Sequence, residues 1–274
     1  MSSEILMDAE TGASDAITAP KGEASPLIIS GISDGVAGSA AREVRLNQVG
    51  TMVATIAHDL KQHIGIVRGV AELAQEGVIT LDAAAMLLRA VDRMVRMLKD
   101  LLEFARGVDE VALREVPPEA LVRELDEIAF RALAERGIHV ERHIRLGGTV
   151  LADPDLLVRA LANLVTNAAE AMPDGGELTL TVENINDAVV FGIKDTGSGI
   201  PEDVLPTIFE PFVTHGKRAG TGLGLAITRD IVEAHRGSVA VSSTVGCGST
   251  FLITIPRSQA GHEPVAAAVQ QDAA

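Results

Sequence analysis

A single cysteine, Cys247, leaves no partner for an internal disulfide, so nothing in this chain is stapled covalently. No apolar run approaches the roughly 20 residues needed to cross a bilayer. Basic residues are also scarce: 23 against 38 acidic ones give a formal charge of -15, and a nucleic-acid partner would meet repulsion over most of the surface. The start, MSSEILMDAE, is acidic and lacks a basic end followed by an apolar stretch, so it does not read as a secretion signal. These shortages point to a cytoplasmic protein with neither membrane nor nucleic acid among its partners. Hydrophobic residues nevertheless make up 47% of the 274, ample for packed cores in two modest domains.

What is present is organised around Val53 to Arg68, VATIAHDLKQHIGIVR. Leu46, Val49, Val53, Ile56, Leu60, His63, Val67, Val70 and Ala74 recur at steps of three and four, the seam of a helical bundle. His58 and Asp59 lie between Ile56 and Leu60, with His58 on the side away from the seam, which presents an imidazole to solvent beside an acid able to take or orient its proton. His63 falls on the seam. Gly65 and Gly69 each cost about 1 kcal/mol relative to alanine and mark a soft point after the His58 turn. Gly77 ends this helix, and Thr80 caps a second with Asp82 in its first turn. There Ala84, Leu87, Val91, Met94, Leu98, Leu101 and Ala105 repeat the spacing as far as about Arg106. So short a loop dictates an antiparallel hairpin, and a second stripe of Leu88, Val95 and Leu102 needs cover, so two hairpins are expected to pair as a homodimeric four-helix bundle.

Around this hairpin (42–108) the chain divides further. Residues 1–41 read as a flexible lead despite the short apolar run PLIISGI, and they are too few for a folded sensor, so a signal would arrive through a partner protein. From Val111 the period changes, and 111–257 reads as a second domain. Strands are expected at Val111 to Val116, Ile138 to Leu146, Val150 to Ala152, Glu177 to Glu183, Ala188 to Lys194, Ser238 to Ser243 and Ser249 to Ile255. Helices are expected from the Pro117, Pro118 pair to Glu135, over Pro154 to Met172, and from Gly222 to His235. This is a mixed sheet with helices on one face. Residues 258–274 read as a disordered tail.

Four stretches of the second domain carry chemistry. NLVTNAAEA sets Asn163 and Asn167 one helical turn apart, where amide oxygens can hold hydrated magnesium against phosphates. DTGSGIP follows a strand with Asp195, suited to an exocyclic amine, and glycines that let a flat ligand approach the backbone. FEPFVT holds Phe209 and Phe212, two of only six phenylalanines. GTGLGLA is a glycine turn leading into a helix, whose exposed N–H groups favour phosphate, and Lys217 lies just before it. Taken singly, each has a plainer reading: a tight connection, solvated amides, an aspartate that starts a turn, core phenylalanines. His58 alone is a surface histidine, and Cys247, between two glycines, a small buried residue.

In this order and spacing, over about Arg42 to Pro256, these stretches resemble the histidine kinases of two-component signalling. NAAEAMPDGGEL, FEPFVTHGK and GTGLGLAIT look most like the nitrogen-regulation subgroup. The resemblance implies a multidomain α and α+β protein, a dimeric hairpin bundle followed by an α/β-sandwich ATP-binding domain of the Bergerat (GHKL) type. It implies His58 as phosphoacceptor, Asp59 as its acid-base neighbour and Asn167 as magnesium ligand, with Asn163 in support. It implies Asp195 on adenine, Gly197 and Gly199 shaping that pocket, Lys217 on the phosphates, and Gly220, Gly222 and Gly224 as lid hinge, with Thr221 and Leu223 in the same nucleotide-binding turn. ATP and Mg2+ are the cofactors implied, and a response-regulator receiver domain the partner. Relatives that hydrolyse ATP carry a glutamate in place of Asn163; an amide cannot act as that base, so the γ-phosphoryl group waits for His58. The chain departs from the pattern at Gln62 and His63, where most members carry threonine or asparagine and then proline. The missing proline removes a kink, and Gln62 takes the position linked to phosphatase activity. The competing expectations are a dimeric ATP-binding scaffold without kinase activity and a protein serine kinase of the anti-sigma type.

Overall fold

Helices α1 (Gly38–Gln75) and α2 (Leu81–Arg106) form the expected antiparallel hairpin. The turn between them is built from local chemistry. Gly77, at φ 74°, ends α1, with its N–H on the Ala74 carbonyl at 3.1 Å and the Val78 N–H on that of Leu73 at 2.9 Å, the double bond of a left-handed helix stop. Thr80 then caps α2 by accepting the Ala83 N–H at 3.1 Å. The computed structural model describes residues 27–30, 38–108, 111–145, 148–214 and 221–257, with backbone alone for 27–30 and 38–55. Within α2 the most buried positions are Ala90, Met97 and Phe104, one residue before the expected Val91, Leu98 and Ala105. The phase shifts because α2 packs against the second domain as well as α1, and Phe104 joins that domain's core. Leu81, Leu88, Val95 and Leu102 form a heptad stripe that this single chain leaves exposed.

Beyond the hairpin come β2 (Arg114–Val116), α3 (Pro118–Leu125), a π-helical turn (Asp126–Phe130), α4 (Arg131–Ala134), β3 (Ile138–Arg145), β4 (Val150–Ala152) and α5 (Pro154–Ala171). β5 (Gly176–Ile185), β6 (Ala188–Asp195), α6 (Gly224–Ala234), β7 (Ser238–Thr244) and β8 (Gly248–Pro256) complete the domain. The single helix expected to follow Pro118 carries the π turn because its buried side chains step by five from Leu125 to Phe130; the extra residue keeps Phe130 and Leu133 on the core side.

The main sheet runs β1-β7-β8-β6-β5-β3, where β1 is Leu27–Ser30, and β2 pairs with β4 in a small sheet of its own. β3 is parallel to β5 and all other neighbours are antiparallel, the mixed sheet expected. Registered rows cross its centre: Leu180, Ile193, Phe251 and Val241, then Val182, Phe191, Ile253 and Val239. All eight are buried, together with Leu157, Leu161, Leu164 and Ala168 of α5 and Ala226, Ile227 and Ile231 of α6.

Two expectations need correction. Leu27–Ser30, within the lead expected to be flexible, is a strand antiparallel to β7, and α1 begins at Gly38, ahead of Arg42. The apolar run PLIISGI supplies it: β7 is otherwise a sheet edge with unpaired backbone groups. Cys247 is exposed in the β7–β8 turn, not buried.

α1 runs unbroken through Gly65 and Gly69, and a Cβ added at either would meet nothing within 4 Å. Packing therefore does not require glycine there. Gly65→Ala and Gly69→Ala are each expected to stabilise the hairpin by about 1 kcal/mol, read as a higher midpoint in urea unfolding; an unchanged or lower midpoint would mean that a neighbour needs the space.

Candidate functional site

On α1, His58 is exposed and Gln62, one turn on, brings its Nε2 to 2.9 Å from the His58 Nε2. An amide nitrogen donates, so this contact suits the His58 tautomer that has its lone pair on Nε2 and its proton on Nδ1. That tautomer leaves Nε2 as the nucleophilic nitrogen once Gln62 turns aside. Asp59 is half-buried, and its charge acts on His63 and on Arg93 of α2. Among the described residues no hydrogen bond joins Asp59 to His58, so its expected role as immediate proton partner is not drawn in this geometry. His63 sits on the seam as expected, with Nδ1 buried and unpartnered among the described residues. Burial first, and then the positive charge of Arg93, hold the His63 pKa below its ordinary value, against the pull of Asp59.

In the second domain, Asp195 ends β6. Residues 189, 191, 193 and 195 share one face of the strand, so the alternation that buries Val189, Phe191 and Ile193 also places this carboxylate on the helix-covered side. It is 3% exposed, and its Oδ1 accepts the N–H of Gly197 at 2.8 Å and of Ser249 at 3.2 Å. Those two amides offset part of the desolvation cost of a buried carboxylate. The adjoining glycines serve the protein's own backbone more than an approaching ligand. A Cβ on Gly197 would lie 2.7 Å from the Ala171 carbonyl, and one on Gly199, at φ 69°, would overlap the carbonyl of Thr244. They fasten the loop between the end of α5 and the β7–β8 hairpin, and the Ile200 N–H on Ser243 Oγ at 2.8 Å completes that attachment.

Asn163 and Asn167 are half-buried on α5. Asn163 donates from Nδ2 to the Gly224 carbonyl at 3.2 Å, so it braces the start of α6 as well as facing the site. Thr228 Oγ1 donates to the same carbonyl at 2.9 Å. Gly222, at φ 69°, lies against Phe212, where a Cβ would sit 2.6 Å from the Phe212 carbonyl carbon, and the Phe212 N–H bonds the Gly222 carbonyl at 2.8 Å. The FEPFVT stretch and the glycine turn are thus one assembly, with Phe209 in the core and Phe212 half-buried. Leu223 is buried, so only its backbone faces the turn. Thr221 is half-buried, and Lys217 and Gly220 lie outside the described residues.

Three residues of α2 escaped the sequence reading. Asp100 Oδ2 accepts the Thr221 hydroxyl at 2.8 Å, Glu103 pairs with Arg159 of α5, and Phe104 meets Phe212 edge-on with ring centroids 6.0 Å apart. A carboxylate between Met97 and Phe104 on an apolar stripe was the signal that could have found Asp100. His235 was also missed. It is buried, with Nδ1 donating to the Ile231 carbonyl at 2.7 Å and Nε2 accepting the Asp153 N–H at 2.9 Å, and so ties α6 to the cap of α5.

Among the described residues no helix is long and apolar enough to cross a membrane, and no cluster of three or more histidine, cysteine or acidic side chains is arranged to hold a metal. A hydrated cation fits here only as a companion to phosphates, held by an amide oxygen such as that of Asn167.

Comparison with known proteins agrees with this geometry. Residues 48–110 match the family model of the His Kinase A (phospho-acceptor) domain. Residues 152–259 match that of the Histidine kinase-, DNA gyrase B-, and HSP90-like ATPase. The sensor histidine kinase ZraS of Escherichia coli K12 is 32% identical over 222 residues, 78% of this chain and 47% of ZraS. The sensor protein SrrB of Staphylococcus aureus MRSA252 is 31% identical over 220 residues, 75% of this chain and 37% of SrrB. The chain therefore spans about half the length of the curated relatives it matches, or less. Histidine kinase ThkA, crystallised in complex with response regulator protein TrrA, superposes with a TM-score of 0.68 at 25% identity, over 80% of this chain and 65% of ThkA. Full-length ShkA in complex with AMPPNP gives 0.57 at 30% identity, over 77% of this chain and 47% of ShkA.

The depressed His63 pKa has a definite sign. The unfolded chain, with His63 near 6.5, binds this proton more readily than the folded one, so stability is complete above that pH and is lost as pH falls toward the lower folded value. Thermal melts of the full chain are expected to drop between pH 7 and 5, less so for His63→Leu; equal slopes for the two would deny His63 any part in the loss.

Proposed function

We propose that this chain, which carries in series the phosphoacceptor and ATP-binding domains of two-component histidine kinases, autophosphorylates His58 from Mg-ATP and passes the phosphoryl group to an aspartate of a response-regulator receiver domain. The observation that carries the reading is the pairing of an exposed His58 on the hairpin with a buried Asp195 that closes a strand of the second domain and is followed by a glycine-containing loop. A phosphoacceptor-type hairpin ahead of an ATP-binding domain leaves the scaffold and serine-kinase readings without a supporting observation.

The chain's own groups divide the work. Asp195 offers its carboxylate to the amino group of adenine, with Gly197 and Gly199 keeping that loop close to α5 and β7. The N-terminal turn of α6 faces the phosphates with backbone N–H groups and the positive end of its dipole. Asn167 would hold the magnesium ion, whose charge neutralises the phosphates when bound, and Asn163, lacking a base, leaves water unactivated. His58 Nε2 then needs in-line approach more than chemical help, because phosphoryl transfer rests on positioning and electrostatics. The resemblance to the nitrogen-regulation subgroup rests on the runs NAAEAMPDGGEL, FEPFVTHGK and GTGLGLAIT. The exposed stripe of Leu81, Leu88, Val95 and Leu102 supports a homodimer through a four-helix bundle. A cytoplasmic setting, with the signal delivered by a partner protein, fits the acidic composition.

Incubation with labelled ATP, followed by acid and base treatment, tests the reading. The parent is expected to carry an acid-labile label and His58→Gln none; a label that survives that substitution, or one stable to acid, would refute it.

Gln62 has a second use. Its amide reaches the outward side of α1, where a docked receiver presents its phosphoaspartate, and an amide there can hold water in line with phosphorus. Gln62→Ala is expected to keep labelling of His58 while slowing dephosphorylation of a purified phospho-regulator; equal time courses would make Gln62 a solvated helix residue.

A further inference from the structure

Asp100, Glu103 and Phe104 occupy one face of α2 at the spacing i, i+3, i+4, and each takes a partner in the second domain: Thr221, Arg159 and Phe212. The Thr221 contact differs in kind from the other two. Thr221 lies inside the glycine turn that leads into α6, and its Oγ1 both donates to Asp100 at 2.8 Å and accepts the Leu223 N–H at 3.3 Å. One backbone N–H of the phosphate-facing turn is thereby already engaged. The hydroxyl that engages it is polarised by a carboxylate delivered from the hairpin.

That carboxylate sits in a poor place for a charge. Burial, and to a smaller degree neighbouring Glu103, push the Asp100 pKa up, while the Thr221 hydrogen bond and the charges of Arg159 and Lys99 pull it down. Of the two cations acting on it, the stronger, Arg159, is paired with Glu103. A nucleotide triphosphate entering the turn would bring further negative charge to within a few ångströms of Asp100, in a setting less screened than bulk water.

Resting on the reading of this turn as the phosphate site, we propose that Asp100 is an electrostatic gate: its carboxylate, held on Thr221, opposes the phosphates of the nucleotide. Nucleotide occupancy and docking of the α2 face on the glycine turn then disfavour one another. By linkage, whatever repulsion α2 imposes on the nucleotide, the nucleotide imposes on α2, so that triphosphate binding loosens the second domain from the hairpin. Domain release is thus coupled to the presence of phosphates and not of adenine, which Asp195 would recognise away from α2.

The test is calorimetric titration of the full chain with AMPPNP and with adenosine, which lacks phosphates. Asp100→Asn keeps an acceptor for Thr221 at nearly the same shape, and Asp100→Ala removes both charge and acceptor. Both variants are expected to bind AMPPNP roughly tenfold more tightly than the parent, with adenosine affinity unchanged. AMPPNP affinity that stays level or falls in both variants, or adenosine affinity that rises equally, overturns the gate while leaving the kinase reading intact. A parent chain that binds neither compound overturns the kinase reading, and the gate with it.

Discussion

Two backbone N–H groups, from Gly197 and Ser249, converge on one oxygen of Asp195, a carboxylate buried inside the second domain. That convergence depends on β6 and β8 staying in register from Ala188↔Pro256 to Lys194↔Thr250. A slip of one residue would turn the apolar row of Phe191 and Ile253 to the wrong face and carry Asp195 with it. The same requirement explains the backbone crowding around the site. Gly197 admits the Ala171 carbonyl, Gly199 that of Thr244, and Gly248 the carbonyl of Asp195 itself. Core packing and site geometry are one constraint, expressed at the end of one strand.

The hairpin meets this domain through charge as much as through apolar contact. Glu103 and Arg159 neutralise one another across the join, and Phe104 and Phe212 add an edge-on ring pair. Phe212 takes this position at φ 67°, an unfavourable backbone for an aromatic residue, which is tolerated because its N–H is held by the Gly222 carbonyl and its ring by Phe104. The loop and the glycine turn therefore lean on α2 and on each other, and neither is set by its local sequence alone.

This division marks what could be read in advance. The hairpin, its Thr80 cap and its Gly77 stop were legible because a helix period and two short signals determine them locally. The sheet was legible because alternation in β5, β6, β7 and β8 is strong, and Asn186, at φ 54°, makes the tight turn between β5 and β6. Asp195, Asn163 and the glycine turn were found by type and spacing. Their surroundings were not: spacing cannot tell a glycine that makes room for a ligand from one that makes room for Ala171 or Phe212. Nor does α2 announce which of its two apolar phases turns inward, since Ala90, Met97 and Phe104 and the exposed Leu88, Val95 and Leu102 repeat at the same interval. Contacts between distant segments, such as Asp100 with Thr221, 121 residues apart, leave no periodic trace.

Strand β1 changes the mechanics of the whole chain. Without it, the only covalent tie between the hairpin and the sheet domain would be the connection after α2, with the side-chain contacts of Asp100, Glu103 and Phe104 beside it. Leu27–Ser30 adds a second attachment on β7, a few residues before α1 begins. While β1 stays paired, the hairpin is tethered to the sheet domain at both of its chain ends, and any movement between the two has to keep both tethers within reach.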